Sequence, residues 1–325
     1  MGAFGKEERM KDLRAAVIGV GHLGRLHASK YAEHRGAQLV GVVDVDARRR
    51  EAVARELGVH AFARHEDILG EVDCVSIAVP TPLHYAIARD CLEGGVDVLV
   101  EKPLTTTVEE GKALVEFAAQ KQQVLQVGHL ERFNPAMRHV RDIVENPRFI
   151  ECHRLAPFGD RGTDVDVVLD LMIHDLDIVL SMVPSSVRAV EAVGVPVLTE
   201  SVDIANARLR FANGCIANLT SSRVSSKRER MIRIFQPDVY IAADYDQCHV
   251  RVCRRVANGA AGPSLSMEEH RIDGGDALAD EIAAFLEAVA ERTAPAVSGW
   301  DGLKALEMAH TIIESMETEV RAAAP

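Results

Sequence analysis

Up to Gly128 the chain alternates between two hydrophobic patterns. Short runs rich in consecutive apolar residues, at Ala15–Val20, Leu39–Val43, Asp73–Val79, Val96–Val100 and Val124–Val127, with a weaker one at His60–Phe62, are separated by longer stretches with helical spacing. Those stretches run from His22 to about His34 and over Ala47–Leu57, Leu83–Glu93 and Val108–Gln120. Apolar runs without alternation read as strands covered on both faces, and the intervening stretches as the covering helices. The order predicts an α/β domain, a doubly wound parallel sheet, over residues 1–128.

From Asn134 the pattern changes. Pro135–Glu145 reads as a helix and Phe149–Leu155 as a strand, followed by alternating runs at Val187–Val197, Val202–Phe211, Cys215–Val224, Arg230–Phe235, Val239–Ala243 and Cys248–Val252. Alternation of this kind belongs to an open, mostly antiparallel sheet with one face covered. Ala277–Arg292 and Gly302 to about Glu319 close the chain as amphipathic helices. Residues 129–325 are therefore expected to form an α+β domain suited to a substrate and to contact between copies of the chain.

The first apolar run carries directly into Gly19-Val20-Gly21-His22-Leu23-Gly24, and the second is closed by Asp44. A strand, a glycine turn, a helix and a strand ending in a carboxylate are the parts of a dinucleotide site. Gly19 makes the tight turn, Gly21 admits backbone to a pyrophosphate, and Gly24 lets helix and strand pack closely. The helix beginning near His22 points unpaired N–H groups and its positive dipole end at the phosphates. Asp44 is placed to bind the adenosine ribose and would repel the extra phosphate of NADP, so NAD is the expected cofactor. Arg48, Arg49 and Arg50 lie close enough in sequence to soften that repulsion.

Composition narrows the partners. A net charge of −12 disfavours nucleic acid and anionic membrane surfaces, and there is no apolar run long enough to span a bilayer. Met1–Arg14 lacks the apolar core of a signal peptide and reads as a disordered lead-in, and the scattered cysteines suit a reducing cytoplasm. The six cysteines, Cys74, Cys91, Cys152, Cys215, Cys248 and Cys253, are scattered and include no C-x-x-C pair, so no disulfide framework is expected. Cys248, His249 and Cys253 match no zinc spacing, and no metal is expected.

Ligands of such a sheet bind beyond the carboxyl ends of its strands. Two ends carry notable residues: Asp73–Val79 empties into Pro80-Thr81-Pro82-Leu83-His84, and Val96–Val100 into Glu101-Lys102-Pro103. The plainer readings are a stiffened turn with Thr81 capping the next helix, and a surface ion pair. Farther on, a helix from about Asp170 has one apolar stripe and sets Asp170, His174 and Asp177 on another face. An imidazole with a flanking carboxylate is what a general base needs, although an interdomain hydrogen-bonded histidine would look the same.

Taken together, the glycine turn, Pro80-Thr81-x-x-His84, Glu101-Lys102-Pro103 and Asp170-x-x-x-His174 resemble the Gfo/Idh/MocA family of oxidoreductases over nearly the whole chain. The resemblance implies a Rossmann domain followed by an open-faced sheet domain, and hydride transfer between NAD and a sugar or cyclitol hydroxyl. It implies that Lys102 and His174 are the catalytic pair, that Asp170 orients the substrate, and that Pro80, Thr81, His84, Glu101 and Lys102 lie at the cofactor. A narrower likeness rests on Gln126-Val127-Gly128-His129-Leu130-Glu131-Arg132-Phe133-Asn134-Pro135-Ala136 and on Arg161-x-x-Asp164-Val165. It is similar to family members that oxidise C3 of UDP-N-acetylglucosamine, whose 3-keto product an aminotransferase converts for lipid A with amide-linked acyl chains. Asp166 departs from the glycine of some relatives.

His174 starts with a pKa suited to accept the hydroxyl proton, whereas lysine starts near 10.4 and would have to be lowered. His174 is thus expected as principal base and Lys102 as the group polarising the sugar oxygen, with the reverse assignment open. Arg132, Asn134 and Arg161 are candidates for the UDP moiety, since arginine forks match phosphate oxygens, but solvated loop arginines fit the sequence as well. Two other functions fit: oxidation of a free sugar, inositol or glycoside, and non-catalytic NAD sensing. A homodimer or homotetramer through the C-terminal sheet is expected.

Overall fold

The computed structural model describes residues 12–159, 166–257, 262–272 and 274–323. Arg161 and Asp164, and nearly all of the N-terminal lead-in, lie outside these residues. The chain divides into two compact units, Met1–Gly128 with Leu278–Trp300, and His129–Ala277 with Asp301–Pro325.

The first unit runs β1 (Leu13–Ile18), α1 (His22–Glu33), β2 (Ala37–Val43), α2 (Ala47–Leu57), β3 (His60–Phe62), β4 (Cys74–Ile77), α3 (His84–Glu93), β5 (Asp97–Glu101), α4 (Val108–Lys121) and β6 (Leu125–Gly128). The six strands lie in the order β3-β2-β1-β4-β5-β6, all parallel. The order reverses between β1 and β4, which is where an open α/β sheet leaves a crevice at its carboxyl edge. Local sequence starts the helices. Asp46 caps α2 by accepting from the Arg49 amide, and Thr107 with Glu110 forms a capping box on α4.

The second unit contributes α5 (Pro135–Ile143), β7 (Phe149–Leu155), α6 (Ile173–Met182), β8 (Val187–Val195), β9 (Ile204–Phe211), β10 (Ile216–Ser222), β11 (Glu229–Gln236), β12 (Val239–Asp244), β13 (His249–Ala257) and β14 (Pro263–Arg271). Its eight strands follow the order β14-β13-β12-β11-β7-β10-β9-β8, antiparallel except for β7 beside β10. Register sorts the two faces. Ile150, Ile234, Ile241 and Val252 share a row that is buried in the core, while the neighbouring row holds Phe149, Phe235, Tyr240, Cys253 and Met267. Phe235 and Met267 of that second row are exposed. The edge strand β14 is not legible in the hydrophobic pattern, because its sequence PSLSMEEHR has few apolar residues.

Two helices complete the chain, α7 (Ala277–Glu291) and α8 (Gly299–Ala323). Chain order alone assigns everything after Gly128 to the second unit, and the structure differs. Ile282, Phe285, Leu286 and Val289 of α7 are buried with Val17, Tyr31, Val42 and Leu99 in the core of the first unit. Ala309, Ile312 and Met316 of α8 join the core of the second. No described helix is long and apolar enough to cross a membrane, and all six cysteines are free thiols.

Candidate active site

After β1 the chain turns through Gly19, whose φ of +86° lies in the left-handed region and whose side would meet the Ala78 carbonyl at 2.7 Å if it carried a Cβ. A Cβ on Gly24 would fall 1.7 Å from the Gly19 carbonyl oxygen, so α1 packs against this turn only as glycine. Around Gly21 nothing lies within 4 Å of the equivalent position. The helix starts at exposed His22 and Leu23 with no side-chain cap from Gly21, leaving its first amides directed at open space. These features fit a bound pyrophosphate.

Asp44, buried at the end of β2, accepts from the Val20 amide at 3.0 Å and from the Asp46 amide at 2.9 Å. Arg49 approaches the same carboxylate at 3.3 Å. The carboxylate is thus fixed in direction with a lone pair to spare for a ribose hydroxyl, and Arg49 offsets part of its charge. A cleft of about 650 Å³ lined by Val20, Gly21, His22, Arg25 and Arg49 adjoins it. A larger cleft of about 790 Å³ lies where β6 begins, beside Val124, Leu125 and Trp300. That is the amino end of a strand, away from the edge where ligands of such sheets bind.

Beyond β4, Pro80 leads into a 3₁₀ turn over Thr81–Leu83, and no side-chain cap precedes α3. Thr81 is therefore part of the turn rather than a cap. His84 is buried, with Nδ1 2.9 Å from the Pro103 carbonyl and Nε2 2.9 Å from the Val79 carbonyl. Burial lowers its pKa, and the two carbonyls act in the opposite direction. His84 thus sits between the two strand ends, where a neutral ring donates its one N–H to one carbonyl or the other.

Glu101 is the last residue of β5, and it does not form a surface ion pair. Its Oε1 meets His27 Nε2 at 2.9 Å, and its Oε2 accepts from the Lys102 amide at 3.3 Å. Burial pushes this carboxyl up, but His27 and the charge of Lys102 outweigh it and hold the group below its ordinary range. Lys102 itself is half-buried.

In the second unit, the helix expected from Asp170 begins as a π-helical segment, Val168–Met172, and continues as α6. The wider winding places Asp170 in the π turn and His174 in the first turn of α6, so their spacing is not that of a regular α-helix. Asp166 supports the start, accepting from the Val168 amide at 2.8 Å, and burial raises its pKa. Asp177, three residues beyond His174, has a cation of its own. It is buried and gripped by Arg132 through two parallel hydrogen bonds of 2.6 and 2.8 Å. Burial works against the Arg132 charge, and Asp177 more than offsets it. Asn134 caps α5 by accepting from Ala136 and donates to the Tyr245 carbonyl at 2.9 Å. Arg132 and Asn134, expected at the UDP moiety, are thus engaged with the protein itself.

Two polar clusters escaped the sequence reading. Arg154 donates to Asp175 at 3.0 and 3.1 Å, to Glu131 at 3.1 Å and to the Tyr245 hydroxyl at 3.2 Å, all buried. In the first unit, His27, Glu101 and Glu281 bring one polar atom each to within 4.8 Å of one another. The available signal for Glu281 was an acid on the apolar face of α7, one turn before Phe285. Cys248, His249 and Cys253 form no comparable group among the described residues.

A glycine turn at the switch point, a carboxylate closing β2 and a lysine beyond β5 define an NAD-binding oxidoreductase. The chain belongs to the GFO/IDH/MocA family. Residues 13–129 match the oxidoreductase family, NAD-binding Rossmann fold, and residues 136–238 match the GFO/IDH/MocA C-terminal domain. Among individual proteins, it is 41% identical over 310 residues to UDP-N-acetylglucosamine 3-dehydrogenase of Acidithiobacillus ferrooxidans, covering 95% of this chain and 98% of that one. A solved structure of that enzyme superposes with a TM-score of 0.89 at 40% identity, covering 94% of this chain and 98% of the other. Inositol 2-dehydrogenase of Corynebacterium glutamicum is 32% identical over 192 residues, 56% of this chain and 57% of that protein.

Proposed function

We propose that this protein oxidises the C3 hydroxyl of UDP-N-acetylglucosamine to the 3-keto nucleotide sugar. The observation that carries the reading is the 41% identity to the Acidithiobacillus ferrooxidans enzyme, which runs through both units instead of stopping at the cofactor domain. NAD, when bound, accepts the hydride from the carbinol carbon. The remaining work falls to side chains of this chain. His174 takes the hydroxyl proton, a task suited to an imidazole at neutral pH, and Asp170 orients the substrate. Lys102 polarises the sugar oxygen as an ammonium, with its backbone held by Glu101. Arg161 is the arginine assigned to the diphosphate, and Arg132 is assigned to holding Asp177.

The enzyme works in the cytoplasm, where NAD and nucleotide sugars are available, and it self-associates through the outer row of the second sheet, where Phe235 and Met267 are exposed. The test is NADH absorbance from purified protein with NAD and a panel of UDP-N-acetylglucosamine, myo-inositol and free hexoses. Turnover with the nucleotide sugar and none with the free polyols is expected. Turnover with inositol or hexoses alone moves the protein to the other branch of its family.

A further inference from the structure

Glu281 is fully buried on α7, and neither of its carboxylate oxygens has a hydrogen-bond partner among the described residues. It points into a cluster. It lies with His27 and Glu101, ligand atoms of the three inside 4.8 Å of one another, and the Gln126 side-chain amide donates to its backbone carbonyl at 3.2 Å. The other ring nitrogen of His27 lies 3.1 Å from the Ser76 hydroxyl, which in turn is 2.9 Å from the Tyr31 hydroxyl. Glu101 already spends one oxygen on His27 and the other on the Lys102 amide. The titratable groups facing Glu281 are therefore His27 and Tyr31 of α1 and Glu101 of β5, with Lys102 adjoining Glu101. Two carboxylate charges this close, shut away from water, are strongly disfavoured, and one of the pair takes a proton.

Geometry says which one. Glu101 has an imidazole and an amide donor on its oxygens and a lysine beside it, so it keeps the charge. Glu281 has none of these. We propose that Glu281 carries a proton, so that the cluster holds a single carboxylate charge and Glu101 stays free to grip the backbone of Lys102. This rests on the role assigned to Lys102 above. Burial and the neighbouring Glu101 charge both act in the same direction on Glu281, raising its pKa well above the ordinary value.

The sign of the linkage follows. A carboxyl whose folded pKa is raised binds its proton in the folded state after the unfolded chain has released it, so stability falls as pH rises above the unfolded value near 4.3. Glu281→Gln keeps the shape of the neutral acid and abolishes this slope. Three readouts on the full chain test the proposal. The variant is expected to gain thermal midpoint over wild type by an amount that grows from pH 5 to pH 8, as its unfolding constant escapes a penalty of about tenfold per pH unit. Difference infrared spectroscopy at pH 7 should show one protonated-carboxyl carbonyl band in wild type that is missing from Glu281→Gln. Where turnover is measurable, the pH profile of kcat/KM should superimpose on wild type, since no charge near Lys102 has been removed. Parallel stability curves, an infrared band that survives the substitution, a shifted pH profile, or an equimolar divalent metal lost on substitution would each overturn it. The first two readouts need no substrate, so a wrong substrate and a wrong protonation state give different results.

Discussion

Two buried polar clusters, one in each unit, treat charge in opposite ways. In the second, Arg132 meets Asp177, and Arg154 meets Asp175 and Glu131, with the Tyr245 hydroxyl closing the group by donating to Asp175. Charge there is balanced and its geometry is forked, which fixes the loop before α5 and the start of α6 as a frame. In the first unit, His27, Glu101 and Glu281 leave one acid without a partner at the strand that delivers Lys102. A frame pairs its charges because an unpaired one is costly to bury. An orphan acid is tolerated in the buried state when it carries a proton, because a neutral carboxyl costs far less to bury than a charged one.

That contrast can be broken in order of size. Arg154→Met leaves buried Asp175 without its cation and Glu131 with Arg230 alone, and should cost about 3–5 kcal/mol in calorimetric or denaturant unfolding. A cost below about 1 kcal/mol would mean that water already reaches the network and that the contrast is false. Arg132→Met should cost about 3 kcal/mol on the same grounds. Pairing it with Asp177→Leu should recover most of the loss, because both buried charges are then gone. If instead Arg132→Met leaves stability alone and raises KM for a UDP-sugar, Arg132 holds phosphate.

His174→Asn addresses chemistry, not framework. It should lower turnover by about 10²–10⁴ with NAD affinity and thermal midpoint unchanged, the range expected for loss of a general base. Unchanged turnover would remove His174 from the reaction. The smallest effect belongs to Gly21→Ala. The added methyl has room in the free protein, so stability should hold within about 0.5 kcal/mol while NAD binding, followed by fluorescence titration, weakens. Unaltered NAD affinity would place the pyrophosphate elsewhere.

Much of the fold was legible because its signals are local. Continuous apolar strands, glycines at fixed offsets and helical spacing carry the parallel sheet, and α2 and β7 begin and end where their patterns do. What escaped depends on contacts remote in sequence. The return of α7 to the first unit is set by which core buries Phe285, and no local pattern encodes that choice. The direction of Arg132 is decided by Asp177, 45 residues away. The place of His84 between the Val79 and Pro103 carbonyls appears only when two strand ends come together. The π turn through Asp170, closed by fully buried Met172, likewise has no signal in the local hydrophobic pattern.

In the proposed reaction, hydride leaves C3 of a nucleotide sugar. The most direct measurement incubates the protein with NAD and UDP-N-acetylglucosamine deuterated at C3 and follows the label by mass spectrometry. Deuterium on the reduced nicotinamide and a ketone at C3 of the sugar are the predicted result. NADH formed without label, or a product that keeps its C3 deuterium, would contradict it.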